Sequence, residues 1–265
     1  MFGSREEALF MPVDKSAALG AGIPAAEGRR RRDFLELSVG YGLILLALWT
    51  PNPWRRLPSL AALAWILLVS FLSFDGWSAM GLRVSGFLRS AWVVGVALVL
   101  AAAAVVLAGR LHTTLHLPGG PIMIVKRYWA YTIWAFLQEF VLLNFILLRL
   151  LRVLPNRKLA CLAAAGLFAV AHLPNPILTP VTLIWGFAAC LLFLEYRNVY
   201  TLAMAHAIFG ICIALTVPGP VDHNMRAGLG YLTYRQHRRN HHRSQKDHIV
   251  STVAWVIAEA PTRRS

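Results

Sequence analysis

The chain has 265 residues, of which 57% are hydrophobic and only 14% charged, with a formal net charge of +14. This balance excludes an ordinary soluble domain and makes a bilayer the main solvent of the fold. The positive charge alone would suit nucleic acid, but Lys and Arg lie almost wholly in loops and tails. Membrane orientation and anionic lipid account for them, so the lipid bilayer and not nucleic acid is the expected partner.

Residues 1–33 form a polar, basic arm ending in Arg29, Arg30, Arg31 and Arg32, with no apolar run ahead of these arginines to act as a cleavable signal. Seven apolar runs follow, at 34–50, 57–74, 87–109, 128–148, 159–172, 177–194 and 200–217. A helix rising about 1.5 Å per residue needs about 20 residues to cross a hydrocarbon core of about 30 Å. The chain therefore reads as an all-α, polytopic transmembrane helix bundle of about seven spans. The fifth run is short, and needs neighbouring residues or a thin or wet part of the fold. The organisation expected is a basic N-terminal arm (1–33), three leading transmembrane helices (34–127), a helix bundle that carries the chemistry (128–220) and a basic C-terminal tail (221–265).

Counting Lys and Arg on alternate sides places Arg83, Arg89, Arg149, Arg152, Arg157, Lys158 and Arg197 with the N-terminal arm, and Arg55, Arg56, Arg110, Lys126 and Arg127 opposite. The expectation is a cytoplasmic N-terminus in the cytoplasmic (inner) membrane of a bacterium. An odd number of spans puts the basic tail on the wrong side, a conflict that a re-entrant "LHLPGGPIMIV" would remove. The tail segment "IVSTVAWVIAEA" is too short to span. His237, His241 and His242 in the tail favour a lipid-attracted segment over a metal site. Cys161, Cys190 and Cys212 all fall within spans, which argues against a disulfide framework and shows no metal-type spacing.

The first three spans carry little chemistry. In the fourth, "WAFLQEFVLLNF" places Glu139 near mid-span, where a carboxylate costs about 2.5–3.5 kcal/mol on insertion scales and must face the bundle interior or water. It is thus a candidate general base. Two histidines share this setting: His172 closes the fifth span in "LFAVAHLPNP", and His206 lies inside the seventh in "TLAMAHAIFG". Phe168 and His172 share a helix face by their i, i+4 spacing. Small residues around His206 (Ala203, Ala205, Ala207, Gly210) suit close helix approach. Each polar residue alone is as well explained by interhelical hydrogen bonding. Together, one carboxylate and two imidazoles on three spans are the parts of acid–base chemistry or of a proton relay.

In chain order, "QEFVLLNFILLR", "FAVAH" and "AMAHAIFG" resemble the three motifs of the CAAX protease and bacteriocin-processing (CPBP, or Abi) intramembrane peptidase family, over about residues 128–220. That family's motifs are a glutamate pair with a following arginine, Phe-x-x-x-His, and His with a polar residue four positions on. The resemblance implies a helical membrane fold with a conical, water-admitting cavity that cleaves a peptide bond, after a prenylated cysteine in the eukaryotic branch. Phe168 and His172 match fully. Gln138 replaces the leading glutamate, Leu143 stands at the arginine position with Asn144 and Arg149 beyond it, and Gly210 stands where the polar partner of His206 is expected. An amide cannot accept the proton of water at neutral pH, so Glu139 would have to act as base, which requires a slightly rotated fourth helix because adjacent residues diverge by about 100°.

The resemblance implies an endopeptidase acting on a membrane-associated peptide or protein. Glu139 and His172 would activate water and His206 would stabilise the oxyanion, with Gln138, Asn144, Phe168 and Gly210 in supporting positions. Asn144 or Asn175 would replace the missing polar helper. No cofactor is required, although zinc held by Glu139, His172 and His206 is a second-ranked reading without HExxH spacing. The alternative is a non-catalytic scaffold or immunity protein with a degenerate site. A proton-coupled transporter ranks third, since paired broken helices are not evident. Substrate and oligomeric state leave no mark in the sequence.

Overall fold

The computed structural model describes residues 15–74, 76–84, 86–111, 113 and 121–234, and among these the regular structure is entirely helical. The elements are α1 (Lys15–Trp49), α2 (Arg56–Leu72), α3 (Phe87–Arg110), α4 (Pro121–Phe140), a π-helical stretch (Val141–Leu147) that runs into α5 (Leu148–Val153), α6 (Arg157–Val170), α7 (Leu178–Tyr196), α8 (Val199–Thr216), and the short α9 (Gly219–Asp222) and α10 (Leu229–Leu232). The protein is an all-α membrane bundle. The tail histidines, "IVSTVAWVIAEA" and the first residues of "LHLPGGPIMIV" lie outside the described residues, while its last five begin α4.

Every apolar run falls on a helix. Among the described residues four helical stretches, not the seven spans expected, are both long and apolar enough to cross a bilayer: Phe87–Arg110, Val125–Val153, Leu178–Tyr196 and Val199–Thr216. The second run gives α2, apolar but only 17 residues long, and the fifth gives α6 with 14. The basic arginines at 29–32 continue directly into the first apolar run, because α1 is one helix from Lys15 onward.

Packing places α8 between α3 and α4, sets α6 against α7, and lays the π-helical stretch against both of these and α2. The core is correspondingly built from Leu142, Leu143, Phe145, Ile146 and Leu147 of that stretch with Ala160, Cys161, Ala164, Ala189, Phe193, Leu202 and Ala205. Helices end where polar side chains can take their orphan backbone groups. Asn156 Oδ1 accepts from Lys158 N (2.8 Å) at the start of α6, and Asn198 Oδ1 accepts from Thr201 N (3.1 Å) at the start of α8.

One group counted from sequence as a loop cation is internal. Arg149 is 1% exposed, and its Nε and Nη2 donate to Glu36 Oε2 at 3.1 and 2.9 Å. The guanidinium lies 4.5 Å from the Phe145 ring centroid, and Arg32 donates to the other Glu36 oxygen at 2.7 Å. Beside it Arg152 holds Asp33 bidentately at 2.7 and 2.8 Å. The acidic residues at the start of the first apolar run thus tie α1 to the far end of the α4–α5 rod. A charge can stay buried on these terms because each guanidinium nitrogen of Arg149 and each Glu36 carboxylate oxygen has a partner.

Candidate active site

Glu139 sits on the last turn of α4, immediately before the π-helical stretch, and has no exposed surface. Single-turn π insertions disturb the register of a helix, and they are frequent at functional sites. His206 faces it from α8, with Nδ1 2.8 Å from Glu139 Oε2; the Trp185 Nε1–H of α7 donates to the same oxygen at 3.2 Å. The carboxylate oxygen suits the His206 tautomer that carries its proton on Nδ1. Glu139 Oε1 is buried without a partner among the described residues.

His172 stands in the turn after α6. Its Nδ1 lies 2.8 Å from the Phe168 carbonyl oxygen, which can only accept, so Nδ1 carries the proton and the neutral ring presents a lone pair at Nε2. The Gln138 amide nitrogen lies at a loose 3.5 Å from that lone pair. Adjacent residues on one helix therefore serve different histidines: Gln138 meets His172, and Glu139 meets His206.

The Phe168 ring lies edge-on to both imidazoles, with centroids 4.9 Å from His172 and 5.9 Å from His206. The aromatic floor expected for His172 thus serves both rings. Trp185 packs at 6.4 Å from His206 and 5.2 Å from Phe209, completing an apolar wall around the carboxylate. Chemically, the cluster offers one imidazole able to take a proton and one imidazole backed by a buried carboxylate, on which positive charge is stabilised.

Glu139, His172, His206, Gln138 and Phe168 are therefore together; Glu139 Oε2 is taken by His206 and Trp185, and Oε1 has no partner among the described residues. Of the two asparagines offered as polar helpers, Asn175 is committed elsewhere, while the buried Asn144 amide has no partner among the described residues. Asn144 faces a small polar pocket with Ser70, Ser73, Arg149 and Arg152, and Asn175 caps α7, its Oδ1 accepting from Ile177 N (3.0 Å) and Leu178 N (2.9 Å). Leu143, at the expected arginine position, is fully buried in the apolar core. Gly210 is buried against α4: a Cβ there would overlap the Tyr131 hydroxyl and ring. Among the described residues no group of three His, Cys, Asp or Glu side chains converges as metal ligands, so the zinc set does not fit this arrangement.

Sequence reasoning missed Trp185 and Tyr131. Trp185 carries an indole N–H inside an otherwise apolar span, where such a donor needs a partner; that was the available signal. Nothing in spacing alone pointed to Tyr131.

Residues 120–212 match the family model described as Rce1-like, type II CAAX prenyl endopeptidase. No curated protein and no solved structure matches the chain. The matched segment covers all three motifs, from α4 to α8.

Proposed function

We propose that the chain, whose residues 120–212 match the Rce1-like family model, is an intramembrane endopeptidase hydrolysing a peptide bond of a membrane-associated protein or peptide. The finer form is cleavage beside a C-terminal prenylated cysteine, the chemistry in the family model's description. The observation that carries the reading is the 2.8 Å Glu139–His206 contact with His172 across the same Phe168 ring. Buried polar groups from α4, α8 and the turn after α6 meet at one spot, the setting in which intramembrane ionisable residues mark functional sites.

In this mechanism a water displaces the loose 3.5 Å contact between the Gln138 amide and His172 Nε2 and hydrogen-bonds to His172 Nε2. Its oxygen attacks the scissile carbonyl carbon while its proton passes to His172 Nε2. Charge develops on the carbonyl oxygen. His206, paired with Glu139 through Nδ1, stabilises that oxyanion through Nε2–H when doubly protonated, a contribution of about 2.7–4 kcal/mol for one donor. Collapse breaks the C–N bond, and the leaving amine takes the proton from His172. Glu139 thus serves as the partner that orients and charges His206, and His172 replaces it as base. The protein would act in the inner membrane with its N-terminus cytoplasmic and require no cofactor.

The test is cleavage of a fluorogenic peptide ending in a prenylated Cys-aliphatic-aliphatic-X sequence by the full chain in lipid nanodiscs. H172A and H206A should abolish turnover while keeping the wild-type melting profile. Wild-type cleavage with undiminished rates in H172A would overturn the mechanism. A second reading, a non-catalytic scaffold or immunity protein, draws support from the amide at position 138 and the complete burial of Glu139. It gains if the wild type cleaves nothing.

A further inference from the structure

We propose that the Tyr131 hydroxyl does the work that a polar side chain at position 210 would otherwise do, donating a hydrogen bond to the oxyanion beside His206. The inference rests on the endopeptidase reading. Gly210 lies one turn beyond His206 on α8, so a side chain there would share the His206 face. Glycine supplies no such side chain. The volume of its missing Cβ is filled by the Tyr131 hydroxyl, and the ring atoms of Tyr131 follow close behind.

Three observations make this more than space-filling. Tyr131 comes from α4, the helix that also brings Gln138 and Glu139, and α4 packs along α8. Its seven- and eight-residue spacings from Gln138 and Glu139 are about two helical turns, so all three share one side of α4. The half-buried Tyr131 also presents its hydroxyl directly at Gly210, one turn from His206 on α8. A carbonyl oxygen bound between His206 and the hydroxyl would accept from both. The tyrosine keeps its proton throughout: it donates a hydrogen bond to the oxyanion and releases it when the carbonyl re-forms. Gly210 and Tyr131 are thus one device, since a Cβ on the first excludes the second.

The experiment uses the full chain in nanodiscs and the prenylated fluorogenic peptide, with kcat and KM measured separately for wild type, Y131F, Y131A and Y131A/G210N. Y131F removes only the hydroxyl and keeps the ring packing, so its melting midpoint should stay at the wild-type value. Its kcat should fall about 10²–10³-fold, as for loss of one oxyanion donor, with KM within about twofold. Y131A should lose at least as much, and adding G210N should recover about tenfold or more as the asparagine enters the vacated space. Wild-type kcat in Y131F, a change in KM alone, or no recovery in a folded Y131A/G210N would each overturn the inference and leave the endopeptidase reading standing. Absence of cleavage by the wild type would overturn both.

Discussion

Gln138 and Glu139 are neighbours on α4, yet the first lies 3.5 Å from His172 and the second 2.8 Å from His206. The divergence follows from the helix, which turns each successive residue by about 100°. It divides the site into a side that can handle a proton and a side that holds charge.

That division predicts the effect of restoring a carboxylate at position 138. Q138E would place an acceptor beside His172 Nε2, where the amide now sits, and a water between them would have a second group to take its proton. Turnover should rise by about 10²-fold, the low end of what a positioned general base contributes. Unchanged kcat in a variant that melts like the wild type would mean that the amide is not the limiting feature of this site.

The charge-holding side makes the opposite prediction. In E139Q an amide oxygen can still accept from His206 Nδ1–H and from Trp185, but it no longer stabilises an imidazolium. kcat should fall about 10²-fold or more with little loss of fold. E139A should also lower stability by about 1.5–3 kcal/mol, because it strands two buried donors. Rate assays and thermal unfolding in the same nanodiscs separate the two effects; equal rates for E139Q and wild type would remove Glu139 from the mechanism.

Much of this site was legible in the residues. Glu139, His172 and His206 stand out because lipid penalises polar groups, and Phe168 follows from helical spacing. Which groups touch was not legible, because spacing fixes a face only to within a turn and a π-helical stretch shifts the register after Phe140. Glu36 and Arg149 illustrate the same limit across a long sequence separation. Each sits at the end of an apolar run, where a snorkelling charge is the ordinary outcome, and only the docking of α1 along the rod that ends in α5 makes them a buried pair.

The Glu36–Arg149 pair should respond unequally to its two deletions. E36A leaves the Arg149 guanidinium buried with only the Phe145 carbonyl, at 3.2 Å, and the Phe145 ring. A stranded buried charge costs about 3–5 kcal/mol. R149M should cost less, since Glu36 keeps Arg32. The double variant E36L/R149M should be more stable than E36A alone. Thermal midpoints of the three variants check the order, and an R149M that melts below E36A would show that the arginine's packing outweighs its charge.

Asn175 joins the His172 turn to the segment beyond α8. Its Oδ1 caps α7, while its Nδ2 donates to the Asp222 and Arg226 carbonyls at 2.8 and 3.0 Å; nearby, Gly228 N donates to the Leu173 carbonyl at 2.7 Å. N175A removes both functions and should cost about 1–2 kcal/mol, the range for a lost cap and its partners. N175D keeps the capping oxygen but turns a carboxylate oxygen toward two carbonyls. It should therefore leave α7 in place and loosen the stretch around Arg226, which is exposed and offers trypsin a cleavage site. The expected readout is several-fold faster tryptic cutting at Arg226 in N175D, with kcat reduced because the His172 turn has lost its brace. Cutting at the wild-type rate would show that Gly228 and the stacking of His223 on Tyr231, with centroids 4.0 Å apart, hold the segment without the asparagine.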